Sequence, residues 1–334
     1  QAQAEDEECA KIVEALKGGE DINGLHQYKL EEGVLMKETG EGWKVWVPTA
    51  MRTLVMYLNH NHIMAGHRGI VNTGKNIARM FYWPNMRKDI SLWCKACRCQ
   101  RAKLKVRPKR GLSGTFKTFE LYDAIHIDHC EMERSKEGYL WMLSIVDRAS
   151  REVELVPTRN KSAVEGAKAI FKYWIARRGP PLVIYCDQDA AYQSNLMSEL
   201  GRIMGTRMCF FSPYTHHNGL AEACNKTACQ IIRSMVACKQ IKEEQWAEVL
   251  LSVAYVMNIT VNAETGLSPM AYATGKEPRQ IAPMRIAKIL TGASWYDIVN
   301  ANIDAMSKAR TQADYRRNAA EYDSAYKRNK EMKR

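Results

Sequence analysis

No run of apolar residues in this 334-residue chain is long enough to cross a bilayer, and no basic-then-apolar leader opens it. No membrane partner is therefore expected. Without a secretory signal, the ten cysteines are not expected to build a disulfide framework, because thiols inside cells stay reduced. The first residue is Gln1 rather than Met, so the chain reads as a processed or trimmed product. No internal repeat is found. Between Gln100 and Gly111 there is no acidic residue against six Lys and Arg, which marks a linker or an extended basic arm. From Ser294 to the end there is neither Gly nor Pro, and Ala, Arg and Lys abound; a long, mostly exposed helix is expected there.

What is present points to an anionic partner and to more than one domain. The net charge is +12, and the length suits two or three domains. "QAQAEDEECAKIVEALKGG" reads as an acidic lead into a short helix. "QYKLEEGVLMKE" and "GWKVWVPTA" alternate apolar and polar residues around Gly-containing turns, as a small β-hairpin does. Helices are expected from about Met51 to His60, from near Val71, and after the turn at Pro84. From about Phe116 three β-rich runs follow, "LYDAIHIDHCEM", "YLWMLSIVDRAS" and "REVELVPT". Then come a helix, the strand "LVIYCD", a helix, the strand "RMCFFS", a loop and a long helix from about Gly219. Three meandering strands followed by alternating helix and strand imply a mixed α/β sheet with helices on both faces.

Two clusters carry chemistry. "WCKACRCQR" places Cys94, Cys97 and Cys99 within six positions. Zinc takes four sulfur or nitrogen ligands, usually as two pairs on turns. Cys94-x2-Cys97 is one such pair, and "HNHIMAGH" upstream offers His60 and His67, with His62 to spare. In the second half, Asp128 shares a strand face with His126, Asp187 ends the strand "LVIYCD", and Glu222 lies one turn into a helix. Carboxylates on two neighbouring strands and a helix can converge and hold two Mg2+ or Mn2+ ions, hard cations that prefer oxygen. Asp147 and Asp189 are weaker candidates, and Asp147 in "IVDRAS" is expected to stabilise a turn.

"AGHRGIVNTGKNIARMFYWPNMRKDI" with the later "CQR" closely resembles the His2Cys2 domain of gypsy-type LTR-retrotransposon integrases. The hairpin before it resembles the small extension those proteins carry. The second half, with "YDAIHID", "LSIVDRASREVELVPT", "YCDQDAAYQSNLMSEL", "SPYTHHNGLAEACNKT" and "GLSPMAYATGKEP", resembles the retroviral-type integrase core. The resemblance implies a multidomain α/β chain: a helical zinc-binding domain, an RNase H-like core around a mixed five-stranded sheet, and a helical tail. Its divisions are an extension over 1–48, the His2Cys2 domain over 49–100, a basic linker over 101–115, the core over 116–285 and the tail over 286–334. It also implies a D,D,E triad, which falls on Asp128, Asp187 and Glu222. Structural zinc and two catalytic Mg2+ or Mn2+ ions are the cofactors it implies.

The sequence departs from that pattern in places. Only one residue separates Cys97 from Cys99, where the family has two. Alignment to "CQR" favours Cys97 with Cys99, whereas the easier turn favours Cys94 with Cys97. The interval from Asp187 to Glu222 is one residue short, and "DQDAAY" and Glu222-Ala223 stand where the family has "DRGTEF" and Glu-Arg. The implied function is Mg2+-dependent processing of element DNA ends and their joining to target DNA. The alternatives are a domesticated, non-catalytic DNA-binding scaffold, or a nuclease without strand transfer. Lys226 and Asn225, beside Glu222, and the arm residues Arg101, Lys103, Lys105, Arg107, Lys109 and Arg110 are the candidate DNA contacts. Double-stranded DNA and a homo-oligomer, a tetramer on DNA, are the expected partners. The place of action is expected to be the nucleus, with a cytoplasmic particle before it.

Overall fold

Alternation along the first strands decides how the N-terminal half packs. In the computed structural model, which describes residues 2–18, 24–31, 33–102, 119–187, 201–211, 219–263, 265–276 and 278, strands β1 (Tyr28–Glu31), β2 (Val34–Thr39) and β3 (Gly42–Trp46) form an antiparallel meander. The turns at Gly33 and Gly42 use positive φ, open to glycine without strain. The expected hairpin is thus three strands. A fourth, β4 (Phe81–Tyr82), pairs parallel with β3; two residues are too short to show a period in sequence. Leu35 and Trp46 face helix α1 (Glu7–Gly18) and its Cys9, while Val34, Met36, Val45 and Val47 face the helices that follow.

Those helices are α2 (Thr49–Met56), α3 (Ile70–Ala78) and α4 (Met86–Ala96). They bury Met51, Val55, Ile77, Ile90 and Cys94 in one core with Phe81 and Trp83. Helix α2 runs on into a π-helical turn, Tyr57–Asn61. Such turns cost regular hydrogen bonding and mark functional positions; this one carries His60.

The second unit, whose described residues lie between 101 and 276, is built on a five-stranded sheet in the order β7-β6-β5-β8-β9. Strands β5 (Ala124–Glu131), β6 (Trp141–Asp147) and β7 (Val153–Thr158) are antiparallel, and β8 (Val183–Asp187) and β9 (Arg207–Phe211) continue parallel to β5. Helix α5 (Ala163–Ile170) starts at Ser162, whose side chain accepts from the Glu165 N–H, and continues through Phe171–Ile175 to Arg178. It covers one face, where Ile125, Ile127, Ile170 and Trp174 meet. Helix α6 (Gly219–Ala237) packs against β5 and β6, and α7 (Trp246–Ile259) against β7; α8 (Pro269–Thr274) follows. Trp174 and Trp246 are buried in the core; Trp141 is half-buried, with Lys161 Nζ 4.2 Å from its ring centroid. The expected tail helix and most of the basic arm lie outside the described residues.

Asp147 does what its sequence context suggests. It is fully buried, accepts from the Ser150 N–H at 2.6 Å and hydroxyl at 2.7 Å, and takes the Tyr122 N–H at 3.0 Å. Asp147→Ala would leave buried donors unpaired, and is expected to cost about 3 kcal/mol or more, read as a lowered urea midpoint of the core.

Candidate metal centre and carboxylate site

The local fold around the histidines builds a four-ligand cluster. His60 sits in the π-helical turn, and His67 follows a tight loop at φ +47°, held by its N–H to the His60 carbonyl at 3.1 Å. Helix α4 ends at Ala96; Cys97 is extended, and the 3-10 turn Arg98–Ala102 reverses the chain. Ligand atoms of His60, His67, Cys97 and Cys99 then all lie within 4.8 Å of one another. Cys97 Sγ is 3.5 Å from His67 Nδ1, and Cys99 Sγ is 3.6 Å from His60 Nε2. Tetrahedral zinc, with sulfur at about 2.3 Å and nitrogen at about 2.0 Å, sets such edges near 3.6 Å, so the donor set fits zinc.

The hydrogen bonds around His60 agree with that assignment. The Thr73 hydroxyl donates to the Arg68 carbonyl at 3.1 Å, so at 3.3 Å it accepts from His60 Nδ1–H. That tautomer leaves the Nε2 lone pair facing Cys99, the arrangement a metal-bound imidazole needs. Cys94, favoured by turn geometry, is not in the cluster. It lies in the core on the same face of α4 as Ile90, with its sulfur 3.4 Å from His60 Nδ1, behind the ring. The C-x-C pair works because the helix has already ended at Cys97. His62 caps the next turn by accepting from the Met64 N–H. Sequence reasoning missed Thr73, Asn61 and Gln100. Asn61 donates to Cys97 Sγ at 3.8 Å and is itself held by Trp93, while Gln100 ties the reversed turn to the Cys94 carbonyl.

In the second unit, β5 and β8 run in parallel register with His126 opposite Tyr185. Two residues further on, that register sets Asp128 level with Asp187 at the end of β8. Helix α6 lies on the same face of β5, and Asn225 donates to Asp128 Oδ2 at 2.9 Å. Burial first, then the negative charge of Asp187 and more weakly of Glu222, push the Asp128 carboxyl up to about 6, against hydrogen bonds from Asn225 and the His129 backbone. The three carboxylates therefore share one field. They do not close as tightly as the thiols and imidazoles: the compact ligand cluster among the described residues is the His–Cys one. Glu222 is exposed and paired with Lys226 one turn on. Asn225, read from sequence as a DNA contact, is buried instead and orients Asp128. Asp189, Lys103, Lys105, Arg107, Lys109, Arg110 and the Arg101 side chain lie outside the described residues.

Residues 47–105 match the integrase zinc binding domain and residues 122–216 the integrase core domain. The chain carries an integrase zinc binding domain and an integrase core domain. It is 25% identical over 248 residues to the Pro-Pol polyprotein of simian foamy virus type 3 (strain LK3), covering 73% of this chain and 21% of that one. It is 24% identical over 222 residues to the retrovirus-related Pol polyprotein from transposon 412 of Drosophila melanogaster, covering 66% and 18%. The chain thus spans about a fifth of the length of these curated relatives. Among solved structures, the HTLV-2 integrase catalytic core domain in complex with magnesium is 17% identical, with a TM-score of 0.37 over 45% of this chain and 94% of that one. The zinc ligand set falls within the first integrase domain; Asp128 and Asp187 fall within the second, and Glu222 on α6 just beyond its matched span.

Proposed function

We propose that this chain trims the 3′ ends of an element's DNA and joins them to target DNA by Mg2+-dependent transesterification. The observation that carries the reading is the register that levels Asp128 with Asp187 in an integrase core domain, under the helix that bears Glu222; burial and these neighbouring charges raise the Asp128 carboxyl. Like charges gathered without a cation repel one another, and a site built this way suits a divalent ion. Asp128, Asp187 and Glu222 offer hard oxygens for Mg2+ or Mn2+; when bound, the metal supplies Lewis acidity to the attacking and leaving oxygens of an in-line displacement.

The chain's own residues do the positioning. Asn225 fixes the Asp128 Oδ2 and so orients the carboxylate. Lys226 and Glu222 hold each other through an exposed ion pair, worth on the order of 1 kcal/mol or less. Opening it costs little and frees Glu222 for metal and Lys226 for a DNA phosphate. The net charge of +12 suits double-stranded DNA, both element ends and target. Bringing two ends together calls for a homo-oligomer, a tetramer on DNA, acting in the nucleus after passage in a cytoplasmic particle.

The closed Glu222–Lys226 pair also favours a second reading, a non-catalytic DNA-binding scaffold that kept the fold and the zinc. A labelled duplex incubated with Mg2+ and either wild type or Asp187→Asn separates the two. Wild type is expected to nick and join, and the variant to lose about a thousandfold in rate. Identical products from both would sink the proposal. Salt-sensitive binding by both, with cutting by neither across many DNA ends, would put the scaffold in its place.

A further inference from the structure

Asp128 and Asn225 form one rung between β5 and α6, and the next rung is made of sulfur. Cys130, two residues along the same face of β5, and Cys229, one turn along α6, bring their sulfurs to 3.8 Å. Both are half-buried, and neither belongs to the zinc cluster. By contrast, Cys9 and Cys186 are buried, and burial pushes both up to about 12. We propose that Cys130 and Cys229 are a redox-modifiable dithiol, closing to a disulfide that ties the helix bearing Glu222 to the strand bearing Asp128.

The geometry asks for little. Side-chain rotation must bring the sulfurs from 3.8 Å to a bond length of about 2.05 Å. The attacking group is also identifiable. The contact with Cys130, and then the Arg233 guanidinium, outweigh burial and hold Cys229 below an ordinary thiol, which makes its sulfur the readier nucleophile. A hydroperoxide supplies the oxidising equivalents. The Cys229 thiolate displaces hydroxide from the peroxide O–O bond and becomes a sulfenic acid. The Cys130 sulfur then attacks that sulfur, and water leaves. In sum, two thiols lose two electrons and two protons, and hydrogen peroxide becomes two waters. A dithiol reductant reverses the bond by exchange.

The consequence for DNA cutting rests on the function proposed above. With α6 bonded to β5 one turn beyond Asn225, Glu222 loses the freedom to leave Lys226 and approach Asp128. A misplacement of that kind costs roughly a hundredfold in rate.

The test uses the reduced, zinc-loaded full chain, titrated with hydrogen peroxide, alkylated and mapped by peptide mass. Wild type is expected to yield a linked Cys130–Cys229 peptide, two hydrogens lighter than the pair of free peptides and lost on dithiothreitol. Cys130→Ser is expected to leave Cys229 as a sulfenic acid captured by a dione probe, and Cys229→Ser to give no link. In the duplex assay, peroxide is expected to slow wild type reversibly and to leave Cys229→Ser unaffected. No linked peptide at any dose, with Cys229 still open to alkylation, overturns the proposal. A reduced chain that cuts no DNA defeats the function proposed above, and the peptide map then decides this inference by itself.

Discussion

Cys99→Ser is expected to strip zinc from the N-terminal unit and melt it, whereas Cys94→Ser keeps the metal. The two thiols are five residues apart, and both touch the His60 ring, from opposite nitrogens. Cys99 faces Nε2 and shares the cluster with Cys97 and His67. Cys94 faces Nδ1, the side already occupied by Thr73, and sits among Ile77, Phe81 and Ile90. Removing a ligand forfeits a large part of a metal-binding energy of about 10–16 kcal/mol in small zinc folds, which is comparable with the whole net stability of a domain this size, about 5–15 kcal/mol. Removing Cys94 puts a hydroxyl in an apolar site, at about 1–3 kcal/mol. Zinc content after dialysis against a mild chelator, with thermal unfolding of each variant, reads both. Zinc kept by Cys99→Ser and lost from Cys94→Ser would reverse the assignment.

That ambiguity shows where sequence stops. Ligand types were legible, because zinc chemistry limits them; pair spacing was not, since the usual two-residue gap pointed to Cys94 with Cys97. The choice between Cys94 and Cys99 turned on where α4 ends, and a helix end depends on the tertiary core that holds Ile90 and Cys94 inward. The order of the core elements was readable for a similar reason: period-2 alternation assigns Ile125 and Ile127 to one face of β5 and His126 and Asp128 to the other. The register of β8 beside β5, which levels Asp187 with Asp128, was not readable, since pairing partners sixty residues apart leave no local mark. Asn225 looked like a surface amide next to Glu222. Only the docking of α6 on β5 turns it inward, and the same docking joins Cys130 to Cys229 across the gap.

Asp128→Asn is expected to make the metal-free core more stable at pH 7 while abolishing DNA cutting. The folded carboxyl is raised from 3.8 to about 6, with burial as the largest cause and Asp187 next. A raised folded value means that the protonated form is favoured in the native state. The contribution to stability is therefore full below about pH 4 and is lost as pH rises through 6. At pH 7 the ionised group costs about 3 kcal/mol, since each tenfold change in proton affinity is worth about 1.36 kcal/mol. An Asn of the same shape removes that charge and can still accept from Asn225. Scanning calorimetry of the core transition is expected to show the variant roughly 6–12 °C above wild type at pH 7.5, with the gap closing near pH 4. Millimolar Mg2+ should raise wild type toward the variant and leave the variant unmoved, because a cation bound at the site offsets the same repulsion that Asn abolishes. Equal melting temperatures at every pH, with or without Mg2+, would mean that the carboxylates of Asp187 and Glu222 do not reach Asp128, and the site would then have no basis for holding a metal.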